Sequence, residues 1–295
     1  MTYFLLASFI LALFHAEQVL QNSLQALHTC MEHLIPSLFL GMVCIRYLYE
    51  NQFFQRFSFP KLEKLLGIDH TAMHYVYTCI FIGMPSGASI IQKAYQQNQL
   101  SLAASKRLLY TCCLIAPSFI LFTCGISLFH SIYKGILLYL SHFLGVFLLL
   151  LQTRNQPIHA NTIIIPKKYP LNKVMMDSIY VIVCICGFVM LCSITSHLWC
   201  SYLPSSLANF LQIIMEFSNG IFTLNKMPLS SFIKECGILS LLCFNGLCIH
   251  LQYFTFLDQI QLDYLTFLKY RFLHSLYACL IYCILTMLAS WLQFF

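Results

Sequence analysis

Long apolar runs separated by short polar segments make up most of the chain. A helix needs about 20 apolar residues to cross the hydrocarbon core of a bilayer. Windows of about this length recur along the sequence, so we predict an all-α integral membrane protein with about seven transmembrane helices. The predicted spans are residues 2–20, 34–49, 108–128, 132–152, 178–199, 232–257 and 272–293.

One apolar stretch, residues 75–91, is interrupted by helix-breaking residues. Gly83, Pro85 and Gly87 fall within five positions, and both residue types disfavour a continuous helix. Non-helical backbone at membrane depth occurs where protein or a wet cavity satisfies its polar groups. We therefore predict a re-entrant helical hairpin at about residues 71–98 whose tip lines a binding site. A plain glycine kink in a spanning helix is the alternative.

A second interrupted stretch, residues 203–225, contains a carboxylate and a glycine within an apolar context. Its central residues are Glu216, Asn219 and Gly220. We predict that it forms a second re-entrant hairpin that enters from the opposite face of the membrane. If only one of the two stretches crossed the bilayer completely, every later loop would change sides.

The distribution of basic residues favours the model with two hairpins. In that model twelve cations lie on one face and three on the other, and cytoplasmic loops of membrane proteins carry the excess of Lys and Arg. The crowded face is then cytoplasmic, with the amino terminus inside and the carboxyl terminus outside. The crowded set is Arg56, Lys61, Lys64, Lys93, Lys106, Arg107, Arg154, Lys167, Lys168, Lys173, Lys269 and Arg271, and the sparse set is Lys134, Lys226 and Lys234.

The same topology predicts an inverted repeat, an architecture typical of transporters with a site near the membrane midplane. Residues 1–33 are expected to form an N-terminal helix and an amphipathic segment. Residues 34–152 form the first repeat and residues 176–295 the second. A basic cytoplasmic loop, residues 153–175, joins them.

Composition excludes several classes of protein. The chain is 59% hydrophobic and 9% charged, with a mean hydropathy of +0.76, so its net charge of +6 indicates membrane topology rather than nucleic-acid binding. Its fifteen cysteines form no CxxC pair and mostly lie in apolar runs, which argues against disulfides and a metal site. No nucleophile-elbow, Walker or paired-carboxylate motif is present, so we expect no enzyme activity and no cofactor beyond a coupling proton or cation.

Polar residues at the two predicted tips and at two interrupted spans are the candidate substrate-binding residues. Glu216 is the only acidic residue deep in an apolar hairpin, and an intramembrane ionisable group is a functional candidate by default. A helix that begins near Ser86 would direct its N–H donors at a polar or anionic solute. The full set is Gly83, Pro85, Ser86, Gly87, Pro117, Ser118, Glu216, Asn219, Gly220, Asn245, His250 and Gln252.

Five motifs resemble, in order, those of the sporulation integral membrane proteins of YlbJ type, which belong to the Gate (nucleoside-recognition) domain family. The first, around Gly83, is similar to the "SGYPVGA" stretch of that family. The motifs are residues 35–39, 81–91, 116–120, 216–220 and 245–252, followed by Lys269 and His274. The resemblance spans about residues 35–285.

This resemblance implies a fold similar to concentrative nucleoside transporters and a role in endospore formation. It implies transport of dipicolinic acid, a small-molecule substrate, across the outer forespore membrane. The expected partners are the lipid bilayer and further copies of the chain, because carriers of this architecture often assemble as trimers. A nucleoside or nucleobase carrier is one alternative. A membrane scaffold for spore-envelope assembly that transports nothing is the other.

Overall fold

The computed structural model describes residues 2–161 and 169–292, and the description consists almost entirely of helices. Residues 162–168 of the predicted basic loop, with Lys167 and Lys168, and residues 293–295 of the predicted second repeat lie outside these ranges. The helices are α1 Thr2–Phe14, α2 Ala16–Thr29, α3 Ile35–Glu50, α4 Pro60–Leu66, α5 His70–Ile82, α6 Ser86–Gln96, α7 Leu102–Thr111, α8 Ile132–Gln152, α9 Leu171–Cys200, α10 Ser205–Met215, α11 Phe217–Lys226, α12 Ser231–Phe244, α13 Gly246–Thr255 and α14 Tyr264–Leu292. A π-helical turn, Cys30–Leu34, joins α2 to α3, and a π-helical segment, Phe119–Leu128, follows α7.

Five helical stretches of the described chain are long and apolar enough to cross a membrane. They coincide with five of the seven predicted spans, so the all-helical membrane class is confirmed. The stretches are Ala16–Glu50, Ile132–Gln152, Leu171–Cys200, Ser231–Thr255 and Tyr264–Trp291. The first is one continuous helix, because the π-helical turn carries the chain from α2 into α3 without a break.

The predicted first span, residues 2–20, is not found. Helix α1 has 13 residues, which corresponds to about 20 Å, and it ends at Phe14, short of the roughly 30 Å hydrocarbon core. Phe4 stacks on Trp199 at a centroid distance of 5.7 Å, and the Trp199 indole donates to Ser8 Oγ at 3.0 Å. Helix α1 therefore packs against the carboxyl end of α9 and does not span the membrane.

Two sets of elements follow one another in the same order. The first set is α3, the helix pair α5–α6, an interrupted helix made of α7 and the π-helical segment, and α8. The second set is α9, the helix pair α10–α11, the interrupted helix α12–α13, and α14. Helix α9 begins at Leu171, earlier than residue 176, so the segment between the two sets is shorter than predicted.

Ion pairs and a buried guanidinium fix the two ends of the helix bundle. At one end, which we call the basic end, Arg46 pairs with Asp177 at 3.2 Å, so α3 and α9 run antiparallel. Arg107 there donates to five acceptors around the ends of α4 and α8, including Leu66 O at 2.7 Å. At the opposite end the Lys134 ammonium pairs with Glu235 at 2.6 Å and ties α8 to α12.

Candidate functional site

The turn between α5 and α6, which we call tip 1, packs directly on the interrupted helix that follows it. Gly83 has φ +72° and ψ −179°, a conformation open essentially to glycine alone. A Cβ atom at Gly83 would lie 2.8 Å from Ala116 Cα and 2.9 Å from Ala116 Cβ. The Met84 N–H donates to Leu114 O at 2.8 Å. Tip 1 is therefore held against residues 112–116, the non-helical segment that we call break 1.

The turn between α10 and α11, which we call tip 2, is formed by Glu216. Its buried carboxylate accepts hydrogen bonds from the backbone N–H groups of Ser218 at 2.9 Å and Asn219 at 2.7 Å. A carboxylate suits this position because the first N–H groups of a helix have no partner within the helix and carry partial positive charge. Glu216 therefore caps α11, and no ion pair to it occurs among the described residues.

Tip 2 packs on the second interrupted helix as tip 1 packs on the first. The interruption lies at Asn245 and Gly246, which have φ angles of +73° and +55°, and we call it break 2. A Cβ atom at Gly246 would lie 3.0 Å from Phe217 Cβ. Gly220 faces the last turn of α10 in the same way, since a Cβ there would lie 3.1 Å from Ile213 Cα. Close packing at both tips thus depends on the absence of side chains.

The two breaks also contact each other, so that all four non-helical segments converge. The Asn245 side-chain amide donates to Cys113 Sγ at 3.1 Å and to Cys113 O at 3.4 Å. The rings of Phe119 and Phe217 lie 5.4 Å apart and connect break 1 to tip 2. The structure therefore brings together most of the predicted site residues that lie on the tips and breaks.

Three polar atoms at these segments are buried and have no hydrogen-bond partner among the described residues. Leaving a buried polar group unpaired costs about 1–3 kcal/mol, so such atoms are uncommon without a functional reason. They are Ser86 Oγ, Asn219 Nδ2 and Asn245 Oδ1. The group offers one amide donor, one amide acceptor and one hydroxyl, which are suitable partners for a small polar solute.

Other predicted site residues are directed toward the protein itself. One ring nitrogen of His250 lies 2.7 Å from Phe244 O, a carbonyl that break 2 frees from the helix, and the other lies 3.2 Å from the Tyr264 hydroxyl. The Gln252 amide donates to Cys248 Sγ at 3.3 Å. Ser118 packs on α3, where a Cβ at Gly41 would lie 3.1 Å from its Oγ. These side chains support the breaks rather than lining the convergence point.

Remaining members of the predicted set belong to the tips themselves. Pro85 follows Met84 through a cis peptide bond and immediately precedes α6. Gly87, in the first turn of α6, faces Cys79 of α5, because a Cβ there would lie 3.2 Å from Cys79 Sγ. Pro117 begins the helix that follows break 1 and is half-buried. These residues shape the turns and contribute no side-chain hydrogen bond.

Sequence reasoning missed two residues that stabilise break 1. Arg271 was predicted to lie on the basic face, yet its side chain is fully buried and donates to Tyr110 O and Cys113 O, each at 2.6 Å. His142 Nε2 accepts a hydrogen bond from the Ile115 N–H at 3.0 Å. The available signal was an ionisable side chain inside an apolar helix, which is costly unless it has a specific partner.

His142, Cys243 and His274 form a buried cluster whose ligand-type atoms all lie within 4.8 Å of one another. Protein groups already bond to it: His142 Nδ1 lies 3.2 Å from Cys243 Sγ, and His274 Nε2 lies 2.9 Å from His142 O. Arg271 Nη1 lies 3.4 Å from the remaining nitrogen, His274 Nδ1. Because a guanidinium repels a metal cation at that distance, we interpret the cluster as a structural network between α8, α12 and α14.

A cavity of about 600 Å³ lies between the α10–α11 pair and helices α12 and α14. Its lining is mainly apolar, with Asn209 and three serines as the polar exceptions. No predicted site residue lines it, but Ile213, Ile214 and Phe244 do, and these adjoin tip 2 and break 2. The cavity therefore reaches the edge of the convergence point.

No family model, curated protein or solved structure matches the chain.

Proposed function

We propose that the chain is a membrane carrier of a small polar or anionic solute. The observation that supports this most directly is the convergence of two helix tips and two helix breaks around polar atoms without protein partners. Irregular backbone at membrane depth is tolerated where it is buried in protein or lines a cavity, and transporter sites are built this way.

The proposal includes a specific topology. The α5–α6 and α10–α11 pairs are re-entrant hairpins that enter from opposite faces and form an inverted repeat. Six segments cross the membrane beside these hairpins: the five long apolar stretches, and the interrupted helix made of α7 and the π-helical segment. Helix α1 does not cross. The basic end is cytoplasmic in a cell membrane. Thr2 and Leu292 then both lie on the outer side. For the amino terminus this differs from the predicted cytoplasmic location, because Phe4 packs on Trp199 at the carboxyl end of α9, opposite the basic end.

In this proposal the solute binds between the two tips. Asn219 Nδ2, Asn245 Oδ1 and the Ser86 hydroxyl supply its hydrogen bonds, and their unpaired state in the protein favours occupation by a ligand. The 600 Å³ cavity beside tip 2 supplies the route from the outer side. Movement of one hairpin relative to the breaks would then expose the site to the other face.

Glu216 is the proposed coupling residue. It is the one carboxylate at the tips, it is 1% exposed, and its ligands are backbone N–H groups. An anionic solute beside an ionised carboxylate would be strongly repelled in a medium of low dielectric constant. We therefore propose that an anionic solute binds together with a proton or a cation at Glu216.

Dipicolinate is the first candidate cargo, on the motif resemblance, and the outer forespore membrane is then the location. A nucleoside is the second candidate, because Asn219 and Asn245 leave one amide donor and one amide acceptor unpaired, the pair that a nucleobase edge requires. Neither cargo requires a catalytic residue.

Binding of dipicolinate and of uridine to the purified protein, measured by calorimetry, tests the proposal. Asn219→Ala should weaken binding about tenfold, since one hydrogen bond contributes about 0.5–1.5 kcal/mol. Asn209→Ala, on the same hairpin but in the apolar cavity, is the matched control and should bind as the wild type does. Saturable binding of one solute that is weakened only by Asn219→Ala supports the carrier and identifies the cargo. Binding of neither solute would favour the non-transporting scaffold.

A further inference from the structure

Three cations at the basic end surround a cleft of about 500 Å³. Lys61 and Lys64 lie three positions apart on α4 and therefore on the same side of that helix, and Arg154 follows the end of α8. All three side chains are exposed, and none forms an ion pair with a described residue. The cleft therefore concentrates positive charge that the described protein does not neutralise.

Neighbouring carboxylates are directed away from this cleft. Glu63, also on α4, accepts hydrogen bonds from the Phe59 N–H at 2.9 Å and from Ser58 Oγ at 3.2 Å, and lies 3.4 Å from His70 Nδ1. Asp69 pairs with His159. The acidic groups closest in sequence thus have other partners, and an external anion is left as the natural counter-charge for the three cations.

An apolar groove of about 140 Å³ lies beside the cleft, between α4, α5 and α8. Leu62 and Leu66 of α4 line it, interleaved in sequence with the two lysines. Along α8 it begins at Leu150, about one helical turn before Arg154, and continues toward the membrane interior. Phe81, on the α5 side, is 42% exposed, so the groove faces the surroundings of the bundle.

The lining of the groove is entirely apolar. Tyr77 contributes its aromatic ring, alongside Leu62 and Leu66 of α4 and Phe81 of α5. Such a surface suits a hydrocarbon chain. The basic cleft and the apolar groove thus follow one another from the basic end inward.

We propose that this surface binds an anionic glycerophospholipid. The lipid phosphate lies between Lys61, Lys64 and Arg154, and an acyl chain occupies the apolar groove. Basic pockets beside transmembrane helices recognise anionic headgroups by this combination of charge and apolar contact. The site is independent of the solute site, because none of its residues belongs to the tips or breaks.

Lipid retention by the delipidated full-length protein tests the proposal. The probes are dioleoyl-phosphatidylglycerol, dioleoyl-phosphatidylcholine and inorganic phosphate, with native mass spectrometry as the readout. The test variant is Lys61→Gln/Lys64→Gln/Arg154→Gln. The control, Lys106→Gln/Lys173→Gln/Lys269→Gln, removes the same charge from cations that do not line the cleft.

We expect the wild type and the control to retain phosphatidylglycerol and the test variant to bind it about 100-fold more weakly, since each cation near the headgroups contributes about fivefold. Arg154→Gln alone should give about a fivefold loss and serves if the triple variant is unstable. Equal retention by both triple variants would overturn the proposal in favour of general charge attraction. Equal retention of phosphatidylcholine, or complete displacement of the lipid by inorganic phosphate, would overturn it as well.

Discussion

Gly83→Ala is the substitution that most sharply tests the packing of tip 1 on break 1. Gly83 has a backbone conformation that residues with a side chain rarely adopt. The added methyl group would lie 2.8 Å from Ala116 Cα and closer still to Ala116 N. Both are backbone atoms, so the methyl group cannot be accommodated by rotating a side chain.

The expected cost follows from two effects. A non-glycine residue in this region of the φ/ψ map costs about 1–3 kcal/mol. Forcing an extra methyl group into a filled contact costs about 1–3 kcal/mol more, unless the tip moves away from break 1. We therefore expect a loss of about 2 kcal/mol or more in the free energy of unfolding, and weakening of the Met84–Leu114 hydrogen bond.

Thermal unfolding of the purified protein measures this loss. A destabilisation of about 2 kcal/mol lowers the midpoint by about 4 °C or more in a chain of this size. Gly187→Ala is the matched control, because a Cβ at Gly187 in helix α9 meets nothing within 4 Å. That control should leave the midpoint unchanged or raise it slightly, since alanine favours a helix over glycine. Equal midpoints for the two variants would refute the close approach of tip 1 to break 1.

Three further predictions concern residues in or beside α14, one of which supports break 1. Asp263 accepts a hydrogen bond from the Thr266 N–H at 2.7 Å, and bonds from Thr266 lower the pKa of Asp263. This stabilisation is present at pH values above the pKa that Asp263 has in the unfolded chain, and it is lost as the pH falls through the lowered pKa of the folded protein. The free energy of unfolding of Asp263→Asn should therefore depend less on pH in the acid range than that of the wild type. Tyr282→Phe removes a 2.7 Å hydrogen bond to the Glu235 carboxylate and should cost about 1.5–3 kcal/mol in thermal unfolding; no change would refute that bond. Arg271→Met leaves the Cys113 carbonyl of break 1 and the Tyr110 carbonyl at the end of α7 without their guanidinium donor, at about 1–3 kcal/mol for the buried Cys113 carbonyl, so its midpoint should fall below that of Arg271→Lys, and the reverse order would contradict this role.

Hydropathy alone predicted much of the helical arrangement, because bilayer thickness sets the length of an apolar helix. It failed at residues 2–20, where the window continued through His15 although the helix ends at Phe14. A window average responds to composition and is insensitive to a local kink or to a partner such as Trp199, which is far away in sequence.

Tip 1 was predictable because glycine and proline disfavour a continuous helix wherever they occur. At tip 2 the turn lies at Glu216, while Gly220 is inside α11. The direction of the polar side chains was not predictable. His250 shares a helix with Asn245, yet it is directed at the Phe244 carbonyl, which lacks a helical partner only because of break 2. Arg271 likewise satisfies carbonyls that break 1 frees, a role that depends on packing between α7 and α14.

The proposed carrier is tested most directly by uptake of radiolabelled dipicolinate into proteoliposomes that contain the wild type or Glu216→Gln. Uptake is measured with and without an inward proton gradient, and size-exclusion profiles verify that both proteins are folded. The account predicts uptake by the wild type that the gradient stimulates, and its loss in Glu216→Gln, because the coupling carboxylate is removed from tip 2. Equal, gradient-stimulated uptake by both proteins would contradict the assignment of Glu216 and of tip 2 to the transport site.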